Sequence, residues 1–201
     1  LMMGTTVIDR AGANNGTAMN VALVPGRVGQ AFRFTGTNVI DIPFATALVP
    51  MNGLTFEYWM YRDGAQIQWA RVGGIQVDHS PNSTWLFGMS TAQGVYFGAF
   101  KNQNQAFVDG SQAIPNRAWT HIAGTWDGAL MRVYINGVVQ PDVAAITPPL
   151  NGSSVPFRIG RGNTNNVGFR GDIDELTLYD RALTPLEIQA IAAAGSLGKC
   201  K

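Results

Sequence analysis

Apolar and polar residues alternate along this chain in short runs separated by turn signals. In the clearest run, Leu54-Thr-Phe-Glu-Tyr-Trp-Met-Tyr61, one strand face carries Leu54, Phe56, Tyr58 and Met60, and the other carries Thr55, Glu57, Trp59 and Tyr61. The same period of two predicts strands over residues 31–34, 39–42, 66–72, 84–89, 94–100, 105–108, 120–126, 131–135, 157–160 and 173–179. Many short strands punctuated this way predict an all-β sandwich or barrel. Asn136-Gly137 and Asp127-Gly128 tolerate the positive φ of a hairpin turn, so residues 119–140 read as a three-strand meander. One helix is expected near the end. Thr184-Pro185-Leu186-Glu187 supplies an N-cap, a proline where it is tolerated and a capping-box glutamate. Gly195 ends the run, and the short helix is expected to pack on the sandwich edge.

Composition narrows the class. The 201 residues are 46% hydrophobic but only 13% charged, against about 25% charged in an average domain. Glycine accounts for 24 positions, while lysine and glutamate occur three times each, which argues against a helical protein. The polar surface must come from neutral groups: Gly, Asn, Gln, Thr and Ser. A net charge of +1 with interspersed signs leaves no electrostatic footprint for nucleic acid and no polybasic membrane patch. No window approaches the roughly 18 apolar residues of a membrane span. Leu1-Met-Met-Gly-Thr-Thr lacks the charged and apolar regions of a signal peptide, so Leu1 reads as the start of a processed or trimmed piece. The single cysteine, Cys200, cannot close an internal disulfide.

Several segments then fall in a telling order. They are Asp9-Arg-Ala-Gly-Ala-Asn-Asn-Gly16, residues 25–36 from Pro25 to Gly36, Leu54 to Trp59, Trp119-Thr-His-Ile-Ala-Gly-Thr-Trp-Asp-Gly128, Val133 to Gly137, Phe169 to Tyr179, and Arg181 to Ile188. Together they resemble laminin-G-like jelly-roll domains of the concanavalin A-like lectin/glucanase superfamily, over nearly the whole chain. The front departs from the pattern, because Leu1-Met-Met lacks the aromatic residues that often open the family's first strand. The resemblance implies a concanavalin A-like jelly-roll sandwich of two curved antiparallel sheets with one short C-terminal helix. It implies one such domain over residues 1–201, a module of a longer chain, secreted or displayed at a surface. It does not imply one function, since a fold hosts many sites.

Three kinds of chemistry follow. The resemblance implies a structural calcium near the chain ends. Asp174 matches the family's acidic position, with Asp9, Asn15 and a carbonyl of Gly36 as further oxygen donors. For glycans, aromatic faces stack on sugar C–H surfaces and amides read hydroxyls. Glu57, Trp59 and Tyr61 would line one sheet surface with Trp69 and Arg71 nearby, although packing is the commoner fate of a strand Trp. Trp85 would stand at a loop rim, and Asn102, Asn104, Asn163 and Asn165 lie in amide-rich loops. Trp119 and Trp126 match family core positions. For catalysis, retaining glucanases of this fold pair acids along one strand. Asp172-Ile173-Asp174-Glu175 lacks the Glu-x-Asp-x-Glu spacing, and Asp172 and Asp174 share a face without a glutamate to complete the set. His79 and His121 are the only histidines for a lyase mechanism, and His121 matches a non-catalytic family position.

The reading is an extracellular recognition module, non-catalytic and carbohydrate-binding. One alternative is a structural or adhesive module in a cell-surface, fibre or virion assembly. Another is a glycoside hydrolase or polysaccharide lyase. The partners expected are a glycan or a cell-surface protein, with self-association open and neither nucleic acid nor membrane insertion.

Overall fold

The computed structural model describes residues 2–76, 83–90, 92–162 and 167–199. Its strands in chain order are β1 (Met2–Met3), β2 (Thr6–Val7), β3 (Gly16–Met19), β4 (Ala22–Pro25), β5 (Gln30–Thr35), β6 (Val39–Ile42), β7 (Leu54–Arg62) and β8 (Ala70–Ile75). They continue as β9 (Trp85–Met89), β10 (Val95–Lys101), β11 (Asn104–Asp109), β12 (Trp119–Trp126), β13 (Leu130–Ile135), β14 (Val138–Ala145), β15 (Phe157–Ile159) and β16 (Arg170–Tyr179). A single α-helix among the described residues, α1, spans Pro185–Ala194. The strands form two antiparallel sheets, as the jelly-roll reading requires. Sheet A runs β1–β2–β3–β6–β15–β8–β9–β10–β11 and sheet B runs β14–β13–β12–β7–β16–β5–β4.

Alternation decides which face is dry. Leu54, Phe56, Tyr58 and Met60 of β7 enter the main core between the sheets with Trp85, Phe87 and Phe97 of sheet A. Phe87 stacks on Phe97 with centroids 4.6 Å apart. The meander is present, with Asn136 and Gly137 at φ 50° and 80°. These are the two positive angles of a type I′ hairpin.

Three elements differ from the sequence pattern. The strand expected over residues 66–72 begins only at Ala70. The Gln66 side chain exchanges two 2.9 Å hydrogen bonds with the backbone of Arg170, taking the place of a strand pair, and Trp69 sits at φ 64°. The first four strands were not foreseen, because at two to four residues they are too short to show a period of two. The helix touches the edge strand β14 but is not confined to it. Ile188 packs with Ala123 and Tyr134 on the outer face of sheet B, where Leu183 joins them.

The helix start follows its sequence code. Thr184 Oγ1 accepts from the Glu187 backbone N–H, and the Glu187 carboxylate accepts from the Thr184 N–H. Arg181 adds two hydrogen bonds to that carboxylate. Its side chain above all, then the Thr184 backbone and hydroxyl, holds the Glu187 pKa down at about 2.

Candidate functional site

The residues singled out by sequence do not share one groove. Trp85 is fully buried, a correction to its expected rim position. It lies opposite Ile75 and Ala99 on the inward face of sheet A and touches Phe56 and Phe157, and its indole N–H donates to the Leu48 carbonyl at 3.4 Å. Glu57 and Trp59 do face away from the main core, but that face of sheet B is covered. Trp59 is 6% exposed beneath the Arg27 guanidinium, which stands 4.7 Å from its ring centroid. Tyr61 is half-buried, tilted against Trp119 at 5.5 Å. Trp126 is buried, as its family match implied.

Glu57 is the centre of a buried polar cluster. Its carboxylate accepts from Lys199 Nζ at 2.6 Å and meets His121 Nε2 at 3.1 Å, with Glu57 and His121 both fully buried. Lys199 also donates to the Glu175 carbonyl and the Thr177 hydroxyl. Burial, then the Glu57 charge, pushes the nearby Tyr179 hydroxyl up to about 12. The C-terminal segment is thereby pinned across the sheet. A bulge in β16 between Asp174 and Thr177, with Glu175 at φ 48°, carries Thr177 and Tyr179 to this face and returns Leu176 and Leu178 to the core. Asp172 is spent on a two-pronged pair with Arg33 at 2.7 and 2.8 Å.

Of the residues named for calcium, Asp9, Asn15 and Asp174 each hold hydrogen-bond partners within the protein. Asp9 accepts from the backbone N–H groups of Ala11, Gly12 and Asn14, while Asn15 Oδ1 accepts from the Asp9 N–H. Partial burial raises the Asp9 pKa, but these N–H groups outweigh it and the net shift is downward. Asp174 accepts from the Val28 and Glu175 N–H groups. Burial lifts the Asp174 pKa above its ordinary value. Gly36, at φ 95°, packs against Gly168 and Arg170. Among the described residues no three His, Cys, Asp or Glu side chains gather where they would hold a metal ion. His79, Asn163, Asn165 and Cys200 lie outside the described residues.

The outer face of sheet A is different. Trp69 is 40% exposed at the foot of β8. Its left-handed backbone closes a tight turn, in which the Ala70 N–H donates to the Ile67 carbonyl at 3.1 Å. A bulky residue there costs on the order of 1 kcal/mol or more, which the surroundings must offset. The indole meets the edge of Tyr96 at 5.2 Å, Tyr96 meets Phe107 at 6.2 Å, and Phe107 meets Phe100 at 5.7 Å. Arg71 lies 5.6 Å from the Tyr96 centroid. Glycines floor this aromatic run. A Cβ on Gly88 would overlap the Tyr96 hydroxyl, and one on Gly98 would stand 2.5 Å from the Phe107 ring. Strand pairing places Gly88 beside Tyr96 and Gly98 beside Phe107, so each ring folds over a missing side chain. Tyr96, Phe100 and Phe107 were not singled out from the sequence. Their signal is the outward set Tyr96-Gly98-Phe100, aromatic on both sides of a glycine.

Asn102 and Asn104 are exposed at the β10–β11 hairpin, Asn102 at φ 53°. Next to them an open cleft of about 410 Å³ is lined by Lys101, Asn104, Gln105, Ala145, Ile146 and Thr147. Gln105 shares the outward face of Phe107.

These features suit an established family. Residues 34–189 match the family model described as concanavalin A-like lectin/glucanases superfamily. The chain belongs to this superfamily. Within it, the chain is 29% identical over 156 residues to pappalysin-1 of Mus musculus, covering 70% of this chain and 10% of that protein. The chain thus spans about a tenth of the length of the curated relatives it matches. Among solved structures, domain 4 of an extracellular arabinanase from Geobacillus stearothermophilus, in complex with arabinotriose, superposes with a TM-score of 0.68 at 24% identity, covering 88% of this chain and 87% of that one. The binding domain of botulinum neurotoxin DC in complex with SialylT gives a TM-score of 0.68 at 14% identity, covering 90% and 46%. These likenesses show the concanavalin A-like fold alone. No helix among the described residues is long and apolar enough to cross a membrane.

Proposed function

We propose that this chain is an extracellular, non-catalytic glycan-recognition module that binds sugar on the outer face of sheet A. The exposed indole of Trp69, braced edge-on by Tyr96, carries the reading. An exposed indole suits stacking on the C–H face of a sugar, and Gln68, adjacent in the chain, is exposed with an amide to read hydroxyls. The arabinotriose and SialylT complexes of its structural neighbours support a sugar as the ligand class. The extracellular arabinanase supports the location. The non-catalytic reading rests on where the acids go: Glu57 is sealed under the C-terminal segment, Asp172 pairs with Arg33, and Glu187 caps a helix.

A glycan array followed by calorimetric titration tests this. Trp69→Ala keeps a Cβ on the same left-handed backbone but loses the contact with Tyr96, so the melting midpoint should fall by a few degrees with the fold retained, while sugar affinity falls about tenfold or more. Failure to bind any sugar, or unchanged affinity in Trp69→Ala, would overturn the reading. Hydrolysis or elimination of a bound polysaccharide would overturn its non-catalytic part.

A second reading, a structural or adhesive module, is favoured by one observation. The sheet-edge strand β14 exposes Val138, Val139 and Val143 at 62%, 48% and 57%. Exposed β-branched residues on an edge suit strand-to-strand association. Sedimentation showing a monomer at all concentrations would remove this reading.

A further inference from the structure

We infer that the cleft beside the β10–β11 hairpin takes an acidic sugar residue, with its carboxylate at Lys101 and its hydroxyls at Asn104 and Gln105. This rests on the glycan-binding reading and names the class of glycan.

The cleft carries one charge. Lys101 is the sole ionisable residue among the described residues of its lining, and no carboxylate lies among Asn104, Gln105, Ala145, Ile146 and Thr147 to cancel it. The ion pairs among the described residues leave Lys101 out. Its ammonium is nevertheless fixed in place. Nζ donates to Thr147 Oγ1 at 3.0 Å and to the Pro148 carbonyl at 2.9 Å, both neutral acceptors. An ammonium has three protons, so one remains for a ligand, and the full positive charge has no counter-ion within the cleft. Such a donor makes a charge-assisted hydrogen bond without first losing side-chain freedom. The Asn104 and Gln105 amides offer donors and acceptors for hydroxyls, and the exposed Ala145 offers an apolar contact. The volume of about 410 Å³ falls in the range of small-ligand sites.

The test compares lactose with sialyllactose, and a neutral disaccharide with its uronic-acid counterpart, by titration of the intact chain. The acidic member of each pair should bind about tenfold tighter at low salt. Lys101→Gln should erase that preference and leave the neutral sugar unchanged, while Lys101→Arg should keep it. Preference for only the sialylated or only the uronic member would assign the source of the acid and still support the site. Because Lys101 also ties down the turn at Thr147, Thr147→Val serves as the folding control: it loses one tie but keeps the charge and should keep the preference. Should Lys101→Gln not fold, the salt series decides, with the preference shrinking between about 50 and 300 mM as screening grows. Equal affinity within each pair, a preference that survives Lys101→Gln, or one indifferent to salt overturns the site. If both members bind equally and Trp69→Ala weakens both, the acidic site fails while the glycan reading stands. If no sugar binds, both fail.

Discussion

Gly98 and Phe107 illustrate how single residues set the surface of sheet A. The ring lies over the missing side chain, and a Cβ at Gly98 would press to 2.5 Å from it. Phe107 is only half-buried, so Gly98→Ala should swing the ring outward rather than break the fold. The expected cost is about 1–2 kcal/mol by denaturant titration, accompanied by weaker sugar binding. Lys199 acts on the opposite sheet. Removing its ammonium leaves Glu57 fully buried with His121 as its remaining side-chain partner. Lys199→Met should therefore destabilise the chain by about 3 kcal/mol, the lower end for a broken buried pair. Loss of less than about 0.5 kcal/mol in a denaturant titration would show that the pair is not closed in solution.

At the scale of elements, the helix start carries a pH dependence. Glu187 has its folded pKa depressed from 4.5 to about 2, mainly by Arg181. Its stabilising contribution is therefore complete above about 4.5 and is lost as pH falls through about 2. The melting midpoint of Glu187→Gln should lie below that of the parent at pH 6, and the gap should close towards pH 2. A gap that stays constant across this range would remove the capping carboxylate from the account. The β16 bulge works at the same scale. By shifting the register after Asp174 it brings Thr177 opposite Glu57 and so builds the pocket for Lys199.

Across the whole molecule, both outer faces are largely covered, and on sheet A the outward Tyr96 and Phe100 are only 1% and 2% exposed. Sheet B is covered by α1, Leu183 and the segment that Lys199 pins, and this closes off most of the surface that β7 would have offered. Sheet A keeps Trp69 open to solvent. Stability rests on the core and on hydrogen-bonded loops, with Asp9 and Asp174 satisfied by backbone N–H groups. Millimolar EDTA should leave the melting midpoint unchanged; a fall of several degrees, restored by calcium, would show that those loops rearrange around an ion.

Much of this was legible along the chain. Local physics sufficed for the alternation of β7, the turns at Asn136-Gly137 and Asp127-Gly128, and the Thr184-to-Glu187 cap, because period, turn chemistry and capping depend on residues a few positions apart. The sequence pattern also reached the family and marked Trp69. Alternation separates two faces of a strand but does not say what lies on each. That is why Glu57 and Trp59 read as a platform, although a helix and tail from more than 120 residues away cover that face. For the same reason Trp85 read as a rim residue, although pairing with Ile75 and Ala99 turns it inward. Bulges compound this, since one unpaired residue reverses every side chain beyond it. The sequence by itself determined most of the strands, the helix and the sandwich class. Only the tertiary structure decided which residues of each face stay exposed, because burial is set by whatever distant segment comes to rest on a face.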